Sequence, residues 1–259
     1  MQFTFDVVHI LIYVTIAFWL FSALPLGKWK RRYFFLGGLV MVAAFVFRWI
    51  DTSHAPLRSM FDVFLALGVV VAPLWWFCER FLGARMISHT AAAMVGVCVL
   101  LPAGLVFDAQ PQTLPPALQS PLFVPHVAAY MLAYMILFLA GMTAARQLLA
   151  GRSDRAGPLE QLSHRMVCLG FPLLTLGLVL GAVWGKLCWG DYWNWDPKEL
   201  WSLATWLAFT AYLHWRRWQG GRFAKTNAAL VLAGVACVIL TLLWVNVSRL
   251  FPGMHRYAG

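Results

Sequence analysis

The 259-residue chain is 61% apolar and only 12% charged, with a mean hydropathy of +0.72 and a net charge of +10. That balance cannot clothe a water-soluble globule in polar groups, so lipid must be most of its solvent. It excludes a soluble enzyme, and it excludes reading the positive charge as a nucleic-acid surface, because the basic residues cluster in short connections between apolar runs.

Crossing a bilayer core takes about 20 apolar residues. Runs near 3–26, 33–50, 60–79, 87–106, 126–149, 164–184, 197–218 and 226–247 meet that length. The expected fold is therefore all-α: a polytopic membrane helix bundle of about eight transmembrane helices, forming a single integral membrane domain over residues 1–259. The first run has no preceding basic region and no convincing cleavage site, and is read as a retained span. Asp6 and Asp62 would be costly if ionised in lipid. Both fall near predicted boundaries and need no special role there.

Fourteen of the twenty Lys and Arg residues fall in one alternate set of loops, while the other set holds Arg48, Arg58, Lys186, Lys198, Arg249 and Arg256. The richer set is assigned to the cytoplasm, which puts both termini on the extracytoplasmic side. The outer face is then built from 51–59, 107–125, 185–196 and the tail from about Val247. Pro111, Pro115, Pro116, Pro121 and Pro125 make the second of these extended or turned, with a helix starting at His126.

The third outer segment is unusual. Between Trp184 and Trp201 the chain reads WGKLCWGDYWNWDPKELW, five tryptophans in eighteen residues. Indole rings favour the membrane–water boundary, so an aromatic belt accounts for one or two of them. A flat, polarisable surface for a planar macrocycle accounts for Trp184, Trp189, Tyr192, Trp193, Trp195, Asp196 and Trp201 acting together. Asp196, Pro197 and Glu199 also fit the N-cap, N1 and N3 positions of the seventh span, as a capping box. Cys78, Cys98, Cys168, Cys188 and Cys237 are scattered and lack CxxC spacing, which excludes a disulfide framework or zinc site. Without a CxxCH, any haem is held non-covalently.

At WGDYWNWDPKELWSLATWLAFTAYLH the sequence resembles the tryptophan-rich WWD haem-handling proteins, in particular the CcsA/ResC type of system II cytochrome c biogenesis. Further likeness lies in HAPLRSMFDVFLAL (54–67), FPLLTLGLVLGAVWG (171–185) and VNVSRLFPGMHRYAG (245–259). Related CcmC proteins depart after the aspartate, where this chain continues Pro-Lys-Glu. The resemblance implies residence in a bacterial inner membrane with the tryptophan segment on the outer face. It implies export of haem b and its presentation to apocytochrome c, where two CxxCH thiols add to the vinyl groups, as a subunit of a holocytochrome c synthase. Implied partners are a ResB/CcsB-type membrane protein, apocytochrome c and thiol-reducing proteins.

By the same resemblance, His126 and His255 match the two outer iron ligands, and His214, in TAYLH, matches the inner-site histidine. His255 stands in HRY where the family usually reads HSY, so Arg256 adds a charge beside it. Counting 17 residues from Pro197 places His214 about 26 Å along its helix, near the cytoplasmic boundary. The second inner ligand is left to the partner, His89 or His164. His54 lies in a shared motif without a ligand role, and His9 reads as a packed or interfacial group. Two other functions stay open at this point: a CcmC-like loader that hands haem to a chaperone without bond formation, and a HemX-like subunit in which the tryptophans only pack.

Overall fold

The structure is a computed structural model that describes residues 2–83, 88–111, 113–151, 154 and 156–244. Among these residues it is all-helical: α1 (Gln2–Ala23), α2 (Trp29–Thr52), α3 (Met60–Phe81), α4 (His89–Leu105), α5 (Phe123–Ala150), α6 (Ala156–Trp189), α7 (Pro197–Gln219) and α8 (Ala224–Ile239), the last running into a π-helical turn at Leu240–Trp244. Five stretches are long and apolar enough to cross a membrane: Trp29–Thr52, Met60–Phe81, Phe123–Ala150, Ala156–Trp189 and Pro197–Leu243, the last comprising α7 and α8. Val7–Ala23 and His89–Leu105 are apolar but shorter. The chain is an integral membrane protein whose helices fall where the apolar runs place them.

The chain divides into two compact units, Met1–Gln119 and Ser120–Gly259. In the first, α1 to α4 pack in cyclic order, each mainly against two neighbours, with α2 also touching α4. Trp19 is the peg at their centre. It is fully buried, its indole N–H donates to the Phe34 carbonyl at 3.2 Å, and it fills a notch left by Gly37 and Gly96, where an added Cβ would lie 2.7 and 2.2 Å from its ring. Without a hydrophobic drive between helices in lipid, such small-residue notches let backbones approach and packing hold them.

This unit corrects two expectations. Arg48 is not a loop charge: it is buried in α2, with its Nε donating to Asp62 at 3.0 Å and its Nη1 to the Ala109 carbonyl at 2.6 Å. Asp62, for its part, does have a role. It is both the buried partner of Arg48 and the N3 residue of a capping box with Ser59. In lipid an arginine and an aspartate can share an interior only when paired and saturated with hydrogen bonds.

In the second unit α5 lies along α6 and against α8, and α7 packs on α8. Between α6 and α7 the link is made chiefly by side chains. Trp206 donates to Thr175 at 3.0 Å and lies against Phe171, while Arg216 forks onto Glu160 at 2.6 and 3.0 Å. Asn227 of α8 adds a hydrogen bond to Glu160 at 2.9 Å.

Two helix ends differ from expectation. α5 starts at Phe123, not at His126, with Pro125 in its first turn, where the missing N–H has no intrahelical partner to lose. α6 runs from Ala156 to Trp189, 34 residues or about 51 Å, well past the 164–184 span. Hydropathy sees only the lipid-facing stretch, and the helix continues until Gly190 turns the chain at φ 90°. The connection between α6 and α7 is therefore 190–196 rather than 185–196.

Candidate functional site

His126, half-buried at the start of α5, rests against α6 where that helix carries glycine every fourth residue. A Cβ at Gly181 would stand 2.6 Å from His126 Cε1, and one at Gly177 would stand 2.9 Å from the Tyr130 ring. The glycines thus form a cradle for the imidazole and the tyrosine beneath it. His126 Nδ1 lies 2.8 Å from the Gly177 carbonyl. A carbonyl only accepts, so Nδ1 carries the proton and Nε2 carries the lone pair. Trp184, 1% exposed, sets its ring centroid 5.5 Å from the imidazole, and Tyr130 meets the imidazole edge-on at 5.1 Å. Phe123 and Trp189 close around Trp184 at 5.9 and 5.0 Å. This is the arrangement in which protein backbones orient a metal-binding histidine.

The tryptophan segment begins one helical turn further along α6, where Gly185 lies against the Asp191 carbonyl. It is not a single loop: Trp184 and Trp189 are on α6, Trp193 and Trp195 lie in the connection, and Trp201 is one turn into α7. The rings fall into two groups. Trp184 and Trp189 belong to the histidine wall, and Trp193 and Trp195 meet each other edge-on at 6.2 Å. Trp201 joins neither through a ring contact; its carbonyl accepts the Thr205 hydroxyl. Trp195 and Tyr192 are 68% and 60% exposed.

The connection is held from its own backbone. The Lys186 ammonium donates to the Gly190 carbonyl and stands over the Tyr192 ring at 5.6 Å. Glu199 Oε2 accepts the backbone N–H groups of both Asn194 and Asp196, at 2.8 and 3.2 Å. For those two amides to face one oxygen, the residue between them must turn left-handed, and Trp195 has φ 56°. A bulky residue pays about 1–2 kcal/mol for that conformation. Asp196, buried, caps α7 by accepting from Lys198 N at 2.9 Å. The capping-box reading of Asp196, Pro197 and Glu199 is thus met, and the glutamate has the further task of closing the tryptophan loop.

The remaining histidines are dispersed. His214 is exposed on α7, and its Nδ1 donates to the Thr210 carbonyl at 2.8 Å, so it too presents the Nε2 lone pair. His164 Nδ1 is 3.1 Å from the Tyr212 hydroxyl, and the Cys168 sulfur lies 3.6 Å from its Nε2. His89 heads α4 beside Phe34 and Trp75, its Nε2 buried without a hydrogen-bond partner. His54 Nδ1 is 3.0 Å from the Ala55 carbonyl, and His9 packs on Phe61. His255 and Arg256 lie outside the described residues. Gly177, Gly181, Tyr130 and Asn194 were not singled out from sequence. The four-residue glycine spacing in FPLLTLGLVLGAVWG is the trace the cradle leaves in the sequence, without the residue that fills it.

Comparison with known proteins agrees with this architecture. In solved structures the chain is similar to "Cytochrome c Heme Lyase CcmF", with a TM-score of 0.64 and 20% identity, covering 93% of this chain and 46% of that one, a likeness of fold. Curated relatives called "Cytochrome c biogenesis protein CcsA" include one from Synechococcus sp. (strain RCC307), 30% identical with 96% of this chain and 91% of the relative covered. Another from Prochlorococcus marinus (strain MIT 9312) is 32% identical over 88% and 86%. One from Chlamydomonas reinhardtii is 29% identical over 86% and 66%. The profile of the family described as "Cytochrome C assembly protein" matches residues 55–252, and with these relatives it shows that the chain belongs to the cytochrome c assembly family, as a CcsA-type member.

Proposed function

We propose that this chain binds haem b at the outer end of α5 and α6 and presents it to apocytochrome c for thioether attachment at CxxCH, together with a ResB/CcsB-type membrane partner. The observation that carries the reading is the His126 imidazole, seated in a glycine cradle, fixed by the Gly177 carbonyl in the tautomer that binds metal, and walled by Trp184 and Tyr130. Neutral imidazole with its other nitrogen donated to a carbonyl is the ordinary form of a histidine haem ligand. The exposed Trp195 and the half-buried Trp193 edge-on to it supply flat apolar surface at the same end, where burial favours a macrocycle at about 25 cal/mol per Å².

Haem brings the iron that takes imidazole and the vinyl groups that take thiols. The protein's part is orientation: thiol addition requires each sulfur close to its vinyl carbon, and a ligand fixed at His126 with the ring plane set by a rigid loop supplies that at no entropic cost during the reaction. Glu199 makes the loop rigid and α7 anchors it in the membrane. His255 is assigned as the opposite outer ligand, which the apocytochrome's own histidine displaces on release. His214, with its Nε2 directed away from its helix backbone, is assigned to an inner site where haem is taken up, its second ligand coming from the partner.

The test is the absorption spectrum of the detergent-purified chain beside a His126→Ala/His255→Ala variant, with haem quantified. A low-spin bis-histidine spectrum in the wild type, lost in the variant, is expected. A colourless wild type after production with its partner and excess haem overturns the reading and returns the tryptophans to an aromatic belt.

A further inference from the structure

Several backbone groups of the connection between α6 and α7 find their partners within it: Lys186 takes the Gly190 carbonyl, Glu199 takes the amides of residues 194 and 196, and Asp196 takes that of Lys198. One side chain in it stands apart. The amide nitrogen Nδ2 of Asn194 is buried and has no hydrogen-bond partner. A buried donor without an acceptor is strongly disfavoured, and native proteins almost always complete it. Asn194 lies between Trp193 and Trp195 in sequence, at the point where the backbone is held in a costly left-handed turn. The fold therefore maintains both strain and an unmet donor in the same three residues, which is where a ligand-binding function concentrates.

The missing acceptor is best supplied as an anion. Of the carboxylates in this stretch, Glu199 is committed to two amides and Asp196 to the helix cap, and Asp191 is exposed, while the Lys186 ammonium, on the Gly190 carbonyl and over the Tyr192 ring, leaves positive charge at the same end. A primary amide N–H can give one charge-assisted hydrogen bond to a carboxylate oxygen. We infer that Asn194 is the recognition group for a haem propionate, fixing the in-plane rotation of the macrocycle that His126 ligates and the indoles support. The inference rests on the haem reading above and names which part of haem this loop reads. It has a consequence for the reaction: ligation by His126 leaves the ring free to turn about the iron–nitrogen bond, whereas a gripped propionate decides which way the vinyl edge points.

The experiment compares binding of haem with binding of haem dimethyl ester, whose propionates cannot act as carboxylates, to the full chain in detergent. Wild type, Asn194→Ala and Asn194→Asp are titrated by absorbance. Each variant is scored by its ratio of affinities, so that the ester's greater partition into detergent cancels. Wild type is expected to prefer the free acid about tenfold more than Asn194→Ala does, the scale of one charge-assisted hydrogen bond. Asn194→Ala should keep the low-spin band shape, and Asn194→Asp should favour the ester, by carboxylate repulsion. An unchanged ratio in Asn194→Ala overturns the propionate assignment while leaving the haem site standing. Equal loss of both ligands with an altered spectrum also overturns it, making Asn194 structural. A wild type that binds neither ligand overturns the haem reading itself.

Discussion

Removing the Arg48 side chain would leave the Asp62 carboxylate buried with its principal cation gone. Breaking a buried pair from one side typically costs about 3–5 kcal/mol, whereas an exposed pair such as Arg31–Glu79, with the arginine side chain 54% exposed, is worth about 0–1 kcal/mol. Unfolding of Arg48→Ala in detergent should therefore show a large loss of stability, and Arg31→Ala almost none. At the candidate site the decisive residue is one without a side chain. A methyl group at Gly181 would stand 2.6 Å from the His126 ring, and the ring, pinned at Nδ1, would have to leave its hydrogen bond to escape. Gly181→Ala is expected to lower haem affinity at least about tenfold, the cost of one hydrogen bond to a neutral group and the misplaced ligand together. Its helical circular dichroism should stay as in wild type; equal haem content would show that the cradle does not set the ligand.

The segment from Gly190 to Asp196 joins α6 to α7, and its tension can be separated from its use. Trp195→Gly would relieve a left-handed residue by about 1–2 kcal/mol while losing one indole–indole contact worth about 0.5–1.5 kcal/mol. The two are of similar size, so thermal stability should stay within about 1 kcal/mol of wild type. Haem retention should nevertheless fall, because the exposed indole is gone; a variant as red as wild type would mean that Trp195 is not part of the surface. The helices themselves were legible because lipid imposes a simple demand, an apolar run long enough to cross. Their ends were not, since α6 begins with AGPLEQLS, whose Pro158 is tolerated in a first turn, and ends with GKLCW, both of which hydropathy scores as loop. The sequence put His126 before the fifth span, and the structure has it in the first turn of α5. The Gly177–Gly181 cradle was not legible, because a glycine spacing acquires meaning only when the residue that fills it is known. For the same reason Arg48 and Asp62 read as a boundary charge and a tolerable acid: they sit 14 positions apart, on different helices.

At the scale of the whole molecule, the proposal that haem is presented on the outer side turns on orientation in the membrane. α7, at 23 residues, is about 35 Å long, enough to cross a core of about 30 Å from the tryptophan loop at its start to the basic turn at its end. Arg216 and Arg217 close that helix and Arg222 follows in the next turn, so the excess of positive charge lies opposite the tryptophans. Lys and Arg within a few residues of a span hold that end in the cytoplasm. The side can be read with thiol chemistry: in a chain whose five native cysteines are replaced, Tyr192→Cys marks the loop and Arg222→Cys marks the other end, both positions being exposed. An impermeant maleimide applied to intact spheroplasts should modify the cysteine at 192 and spare that at 222 until the membrane is opened. The opposite pattern would place the tryptophan loop in the cytoplasm, where an apocytochrome awaiting its haem outside could not reach it, and the thioether role would fall even if haem binding at His126 held.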